Sequence, residues 1–301
     1  MALPAATLPR GTTVGSRLGA YVALTKPRII ELLLITTLPT MIVAQRGMPP
    51  VWLMAATLLG GALAAGGANA INMFVDRDID KLMHRTRKRP LVTGAVTPRN
   101  ALVFAITLEV VAFVELWGWV NLLSACLAVS ATLFYVFVYT LWLKRTSSQN
   151  IVIGGAAGAV PVLVGWAAVT NSLAWTPVVM FAIIFVWTPP HFWALAVKYK
   201  DDYQAANVPM LPAVATFRRT AGEILIYSLL LVGVSVLLAA VAALGALYLI
   251  SAAALGAVFV ALALRLWRTA TPKAAMQLFS YSITYLTLLF VVMAVDVLIN
   301  H

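Results

Sequence analysis

Charged residues are scarce in this chain, and cysteine is almost absent. Only 10% of its 301 residues are Asp, Glu, Lys or Arg, whereas an average soluble domain carries about a quarter. Such a composition excludes an ordinary soluble globule and a disordered chain. The single cysteine, Cys126, excludes an internal disulfide and any paired-cysteine metal motif. The net charge of +11 does not indicate a nucleic-acid partner, because too little polar surface remains to form a binding face.

Apolar residues fill the chain instead, at 62% with a mean hydropathy of +0.94. These values are typical of an integral membrane protein that crosses the lipid bilayer several times. A helix needs roughly 20 apolar residues to span the hydrocarbon core. The sequence therefore predicts an all-α membrane protein with nine transmembrane helices, at residues 29–45, 51–75, 101–120, 121–143, 151–170, 173–197, 224–245, 246–264 and 274–299.

Three of these boundaries fall inside longer apolar stretches and depend on length. Residues 224–264 contain no charged residue, and as one helix they would be about 61 Å long, about twice the hydrocarbon thickness. The chain must therefore turn, near Leu244–Ala246. The same argument predicts turns at 118–121 and 170–172. The predicted organisation is an N-terminal tail at residues 1–24 and one membrane domain at residues 25–301.

The basic residues support this count. If the N-terminus is cytoplasmic, 20 of the 21 Lys and Arg residues lie on the inner side and only Arg46 lies outside. This is a strong positive-inside asymmetry. It predicts a multi-pass protein of the cell membrane whose long loops, at about 76–99 and 198–220, face the cytoplasm. Five of the ten acidic residues lie in these two loops or at their edges, namely Asp76, Asp78, Asp80, Asp201 and Asp202.

The first acidic cluster suggests a metal–phosphate site. Asn72, Asp76 and Asp80 are spaced four residues apart, so they would share one face if the second helix continued past the membrane. Like charges at this spacing destabilise a helix unless a cation lies between them. Mg²⁺ is usually held by one or two carboxylates together with substrate phosphates. The basic residues that follow, including Arg85 and Arg89, are candidate phosphate clamps.

The second cluster places Asp201 and Asp202 after the sixth predicted helix, next to Lys200. These carboxylates are candidate ligands for a second Mg²⁺, although taken alone the cluster favours a solvated loop. Lys144 and Lys200 are further candidate diphosphate clamps, with positive-inside anchoring as the alternative. Tyr139 could line a reaction pocket or belong to the aromatic belt of the bilayer. His191 follows Pro189-Pro190 in an uncharged run, where it is either a ligand contact or a packed core histidine.

The first cluster resembles the signature of the UbiA superfamily of intramembrane prenyltransferases. That signature has the form Asn-x3-acid-x2-hydrophobic-Asp-x2-Met/Val-x-Arg-Ser/Thr-x2-Arg, and it is met by Asn72, Asp76, Ile79, Asp80, Met83, Arg85, Thr86 and Arg89. The resemblance implies a UbiA-type helical bundle and Mg²⁺ ligation by Asn72, Asp76 and Asp80. Many members separate the second pair of aspartates by three residues, whereas Asp201 and Asp202 are adjacent here.

Further stretches resemble the branch of this superfamily that farnesylates heme. They cover residues 24–28, 139–145, 188–195, 200–203, 208–212 and 278–286. The resemblance implies farnesyl diphosphate and heme B as substrates, heme O as product and His191 as a heme contact. It also implies a possible partner in heme A synthesis or oxidase assembly. The rivals are a UbiA-type enzyme with an aromatic quinone-precursor acceptor and a membrane transporter, which would place its polar site near mid-bilayer.

Overall fold

The computed structural model describes residues 14–300, without the side chains of residues 14–16, 28, 29 and 31–34. No β-strand occurs among these residues. The first half of the chain forms α1 (Val14–Thr25), α2 (Pro27–Gln45), α3 (Val51–Val75), a 3₁₀ turn (Ile79–Lys81), α4 (Pro90–Thr93), α5 (Pro98–Trp119) and α6 (Leu122–Leu133). A π-helical segment (Phe134–Leu143) and the single turn α7 (Lys144–Thr146) then continue α6 without a break.

The second half is built mainly from five long helices. It comprises α8 (Asn150–Thr170), α9 (Trp175–Lys198), α10 (Lys200–Ala205), α11 (Leu211–Val214), α12 (Phe217–Val241), α13 (Ala246–Thr269) and α14 (Pro272–Asn300). Consecutive long helices pack side by side, and α14 also packs against α2, which closes the bundle. The most buried spans are α8 and α9, and they carry the Gly154-Gly155 pair and His191.

Eight of the described helices or helix runs are long and apolar enough to cross a membrane. They match the predicted spans from 51–75 onward, with ends displaced by no more than seven residues. The predicted first span coincides with α2, of which Ile35–Gln45 forms an apolar stretch shorter than a full span. The ninth span and the cytoplasmic N-terminus therefore stay predictions. Residues 1–13 of the predicted tail lie outside the described residues, and α1, which follows them, packs against α3 and α4.

The predicted turns form where capping groups are available. Asn121 starts α6 and accepts a hydrogen bond from the backbone N–H of Ser124, as expected of an N-cap. Asn171 ends α8 in the left-handed conformation, with φ of 48°. Asp296, a buried acid of α14, accepts hydrogen bonds from the N–H groups of Gly245 and Tyr248 and so caps the start of α13. An acid inside the membrane domain is thus explained by helix capping.

Candidate active site

The first acidic cluster lies at the C-terminal end of α3, and its three predicted ligands are buried. The helix ends at Val75, as the predicted span does, and Asp80 lies in the following 3₁₀ turn, so the condition that α3 continues past the membrane is not met. Helix-like backbone bonds still link the three residues. The N–H of Asp76 donates to the carbonyl of Asn72, and the N–H of Asp80 to the carbonyl of Asp76, both at 2.9 Å.

The protein's own cations lie among these carboxylates. Arg89 Nη1 donates to both carboxylate oxygens of Asp80 at 2.7 Å. Lys144 Nζ pairs with Asp76 Oδ2, and Lys26 Nζ donates to Asn72 Oδ1 at 2.9 Å. Three cations from separate parts of the sequence therefore converge on the predicted metal ligands. Such pairing satisfies carboxylates that would otherwise be buried without a partner.

The π-helical segment supplies the wall of the site opposite α3. Asn72 Nδ2 donates to Asp76 Oδ2 at 2.8 Å and to Thr140 Oγ1 at 3.1 Å, so Thr140 and Lys144 both reach the end of α3. Tyr139 is half-buried and stacks on Tyr135 with ring centroids 5.3 Å apart. π-Helical stretches are rare and occur frequently at functional sites.

Glycines of α8 make room for Tyr139 and for α9. A β-carbon at Gly154 would lie 2.3 Å from the Tyr139 ring, and one at Gly155 would lie 2.9 Å from Thr188 of α9. Asn150, the first residue of α8, lies four residues before Gly154 and therefore one turn away on the same helix face. Asn150 is fully buried, yet neither its Oδ1 nor its Nδ2 has a hydrogen-bond partner within the described part of the chain.

The second acidic segment contacts the basic loop that follows Asp80. Asp202 accepts hydrogen bonds from the backbone N–H groups of His84 and Arg85, each at 3.1 Å. The Arg85 side chain donates to the Tyr203 hydroxyl at 2.8 Å and lies over the Tyr199 and Tyr203 rings. Asp201 and Lys200 are exposed. The observed contacts of Asp202 therefore anchor the loop, and the predicted metal role of Asp201 and Asp202 stays a prediction.

The ionisable groups at the rim of the site and those inside it differ in their exposure to water. A hydrogen bond from Arg145 lowers the pKa of the exposed Asp78 to about 2. Burial, assisted by the neighbouring Arg89 and Lys144 cations, lowers the pKa of Lys26 well below its usual value. Burial raises the pKa of Tyr203, a change that the nearby Arg85 opposes. The interior of the site is thus poorly solvated, whereas its rim is open to water.

The donor set can be tested for its fit to Mg²⁺. Among residues 14–300 no group of three His, Cys, Asp or Glu side chains could enclose a metal ion. Asp76 Oδ1, however, is buried without a hydrogen-bond partner in that part of the chain. One carboxylate oxygen without a hydrogen bond, beside further oxygen donors, fits Mg²⁺ that is shared with substrate phosphates, because such sites use few protein ligands.

His191 lies on α9, where it faces α14. It is buried, its Nδ1 lies 2.7 Å from Ser282 Oγ, and its ring stacks on Trp187 with centroids 4.2 Å apart. The structure therefore places His191 in an aromatic pocket, with a polar partner on one side of the ring.

Sequence reasoning missed Lys26 and Thr140, which bond to Asn72, and also Asn150, which lies one helical turn from Gly154. Lys26 and Thr140 fall within stretches that resemble the heme branch, at 24–28 and 139–145. That resemblance could have identified both as site residues. Asn150 carried no comparable signal, because an asparagine at the start of a membrane helix is an ordinary interfacial residue. Its unpartnered amide became visible only in the folded structure.

A bundle of apolar helices with a carboxylate–cation cluster at one end defines an intramembrane enzyme of the prenyltransferase class. The sequence profile of the UbiA prenyltransferase family matches residues 33–291, and the chain belongs to this family. It is 54% identical over 282 residues to the protoheme IX farnesyltransferase of Renibacterium salmoninarum, covering 92% of this chain and 89% of the relative. It is 53% identical over 302 residues to that of Parafrankia sp., covering 99% and 96%.

Solved structures agree with the fold. A structure described as digeranylgeranylglyceryl phosphate synthase superposes with a TM-score of 0.75 at 18% identity, covering 94% of this chain and 99% of that chain. A UbiA homologue from Archaeoglobus fulgidus bound to DMAPP and Mg²⁺ superposes with a TM-score of 0.62 at 17% identity, covering 93% and 99%. These likenesses confirm the predicted UbiA-type bundle.

Proposed function

We propose that this chain transfers the farnesyl group of farnesyl diphosphate to a vinyl group of heme B and so forms heme O. The observation that carries the reaction type is the buried cluster of Asn72, Asp76 and Asp80 with its converging cations. The identity of more than half of the aligned residues to proteins named protoheme IX farnesyltransferase supports heme as the acceptor.

The cluster suits the ionisation of an allylic diphosphate. As the C1–oxygen bond of the farnesyl group breaks, negative charge builds up on the departing diphosphate. Lys26, Arg89 and Lys144 already lie among the carboxylates and would stabilise that charge. Asn72, Asp76 and Asp80 would hold Mg²⁺, which adds Lewis-acid stabilisation of the leaving group when it is bound. The buried amide of Asn150 is a further candidate donor to the diphosphate.

The apolar bundle suits the other half of the reaction. Water readily captures a farnesyl cation. The pocket must therefore exclude water until the heme vinyl group has attacked the cation. Water then adds to the cation formed on the heme side chain, which leaves a hydroxyl group there and releases a proton. Tyr139, which is half-buried and precedes Thr140 at the end of α3, would border the cationic carbon. Both substrates are membrane-soluble, which fits a site at one end of the helices.

We also infer the setting of this chemistry. The asymmetry of Lys and Arg supports a site at the cytoplasmic face of the cell membrane. The exposed Arg85 and Lys200 lie on the two loops of that face and are candidate first contacts for the diphosphate. A partner in heme A synthesis or oxidase assembly follows from the chemistry of the product, which a later step must oxidise or insert.

A product assay tests the proposal directly. Purified protein is given Mg²⁺, farnesyl diphosphate and either heme B or 4-hydroxybenzoate, and the products are analysed by mass spectrometry. We expect a heme that is heavier by one farnesyl group and one hydroxyl group, and we expect EDTA to prevent its formation. Prenylated benzoate would instead move the protein to the aromatic-acceptor branch. No product from folded protein would contradict prenyl transfer and favour a transporter.

A further inference from the structure

The imidazole of His191 is fixed by contacts on its Nδ1 side. Ser282 on α14 places its Oγ 2.7 Å from His191 Nδ1. Trp187 stacks on the imidazole ring and donates its indole N–H to the carbonyl of Ser282 at 2.8 Å. Phe279 covers the ring as well, with centroids 4.7 Å apart. Three contacts between α9 and α14 therefore set the position and tilt of a single imidazole ring.

The hydrogen bonds also determine which nitrogen carries the proton. Ser282 Oγ lies 2.6 Å from the carbonyl oxygen of Phe279, and a carbonyl can only accept. The one hydroxyl proton of Ser282 is therefore donated to Phe279, and its oxygen is left as an acceptor. His191 must then donate through Nδ1–H. In a neutral imidazole this leaves the lone pair on Nε2.

Nothing in the described part of the chain forms a hydrogen bond with that lone pair. His191 is nine-tenths buried, and its other close neighbours are the aromatic rings of Trp187, Phe192 and Phe279. The Nε2 atom is not one of the fully enclosed unpartnered atoms of the described residues, so it keeps some accessible surface through which a ligand can reach it. An imidazole that is oriented through Nδ1–H and open at Nε2 is the arrangement that metal-ligating histidines show.

We propose that Ser282 is a positioning residue that fixes the Nδ1–H tautomer of His191 and so presents Nε2 to the iron of the heme substrate. This inference rests on the proposed function, since it requires heme as the acceptor. It assigns His191 a ligand role through one named atom. Helical serines commonly donate a hydrogen bond to the carbonyl one turn earlier. The inference gives Ser282 a second role, which is to orient His191.

Heme titration of purified protein without farnesyl diphosphate tests the inference. The readouts are the absorption and electron paramagnetic resonance spectra of bound ferric heme B, together with its affinity. We expect His191→Ala to lose the spectrum of the histidine-ligated iron and added imidazole to restore it. Ser282→Ala should shift the spectrum and weaken heme binding about 10- to 100-fold, the effect of removing the hydrogen-bond partner of a metal ligand.

Two further variants separate positioning from packing. Ser282→Thr keeps a hydroxyl in place and should bind heme as the unaltered protein does. Ser228→Ala is the matched control, because Ser228 is buried and bonds to the carbonyl of Ile224 at 2.6 Å but has no histidine partner. It should leave the heme spectrum and the affinity unchanged. Thermal unfolding of each variant shows that it is folded.

Two results would overturn the inference. One is a heme spectrum that survives His191→Ala, and the other is a Ser282→Ala variant with unaltered spectrum and affinity. The product assay separates this failure from failure of the proposed function. If farnesylated heme still forms, only the ligand assignment is wrong. If the protein binds no heme and prenylates benzoate instead, the proposed function fails, and the inference fails with it.

Discussion

Asp76 is the most enclosed acid of the α3 cluster, with no exposed surface. Its Oδ2 contacts Lys144 Nζ and Asn72 Nδ2, whereas Arg145 lies 3.8 Å from its Oδ1. A charge in such a place depends on its partners, and removal of one member of a buried pair costs about 3–5 kcal/mol. The residue thus has two tasks. It neutralises Lys144, and its Oδ1, which accepts no hydrogen bond within the described residues, can turn to a bound cation.

Asp76→Asn should therefore reduce turnover by about 100-fold or more, the scale for loss of one strong electrostatic contact in a transition state. Steady-state assays with increasing Mg²⁺ measure the loss, and thermal unfolding should show a destabilised protein because Lys144 is left unpaired. Asp78→Asn is the control in the same loop. Asp78 is 60% exposed and pairs with Arg145 at 2.7 Å, so its substitution should change activity less than about threefold. Equal losses in both variants would contradict the assignment of Asp76.

At the scale of elements, the site depends on how closely α8 approaches the π-helical segment. The Tyr139 ring occupies the space above Gly154, and no larger residue fits there without displacing it. Gly158 lies one turn further along α8, and a β-carbon there would meet no atom within 4 Å. The two glycines therefore offer a matched comparison within one helix.

Gly154→Ala should displace Tyr139, destabilise the protein by about 1–3 kcal/mol through overpacking and raise the KM for farnesyl diphosphate. Gly158→Ala should be neutral or stabilising by about 0.5–1 kcal/mol, because alanine favours a helix where there is room for its methyl group. Thermal unfolding and KM measurements on both variants decide the matter. An unaltered Gly154→Ala enzyme would mean that the position of Tyr139 is not important for substrate binding.

Element boundaries were largely predictable, whereas contacts between elements were not. Eight spans could be predicted because bilayer thickness limits helix length and basic residues mark one side. The local spacing of Asn72, Asp76 and Asp80 does not show where α3 ends, nor that Lys144 and Arg89 neutralise the carboxylates. Lys144 is 68 residues from Asp76, and no periodicity reports such a pairing. The π-helical segment that directly precedes Lys144 has no sequence signature either.

At the scale of the whole molecule, the functional groups lie at one end of a closed helical bundle. At the other end, the turn at residues 171–174 carries no charged side chain, and Arg46 is the one Lys or Arg that the sequence assigns to that side. The end of the bundle predicted to face the cytoplasm carries Asp76, Asp80, their cations and the anchored loop around Arg85. The orientation of the bundle therefore decides from which compartment a diphosphate reaches the site.

Cysteine labelling can measure that orientation. In a Cys126→Ser background, Ala174→Cys marks the predicted outer turn and Ala95→Cys marks the predicted inner loop, and both alanines are exposed. A membrane-impermeant maleimide added to intact bacterial cells should label only position 174. Lysis should make position 95 reactive as well. Labelling of position 95 in intact cells would invert the predicted topology.

The π-helical segment makes the active site sensitive to the number of residues as well as to their type. Its backbone hydrogen bonds join residues five apart instead of four. The segment therefore resembles an α-helix into which one extra residue has been inserted. Deletion of one codon between positions 134 and 143 would keep Lys144 in the protein but rotate it by about 100° around the helix axis. The ammonium group would then point away from Asp76, although every residue of the signature motif would still be present.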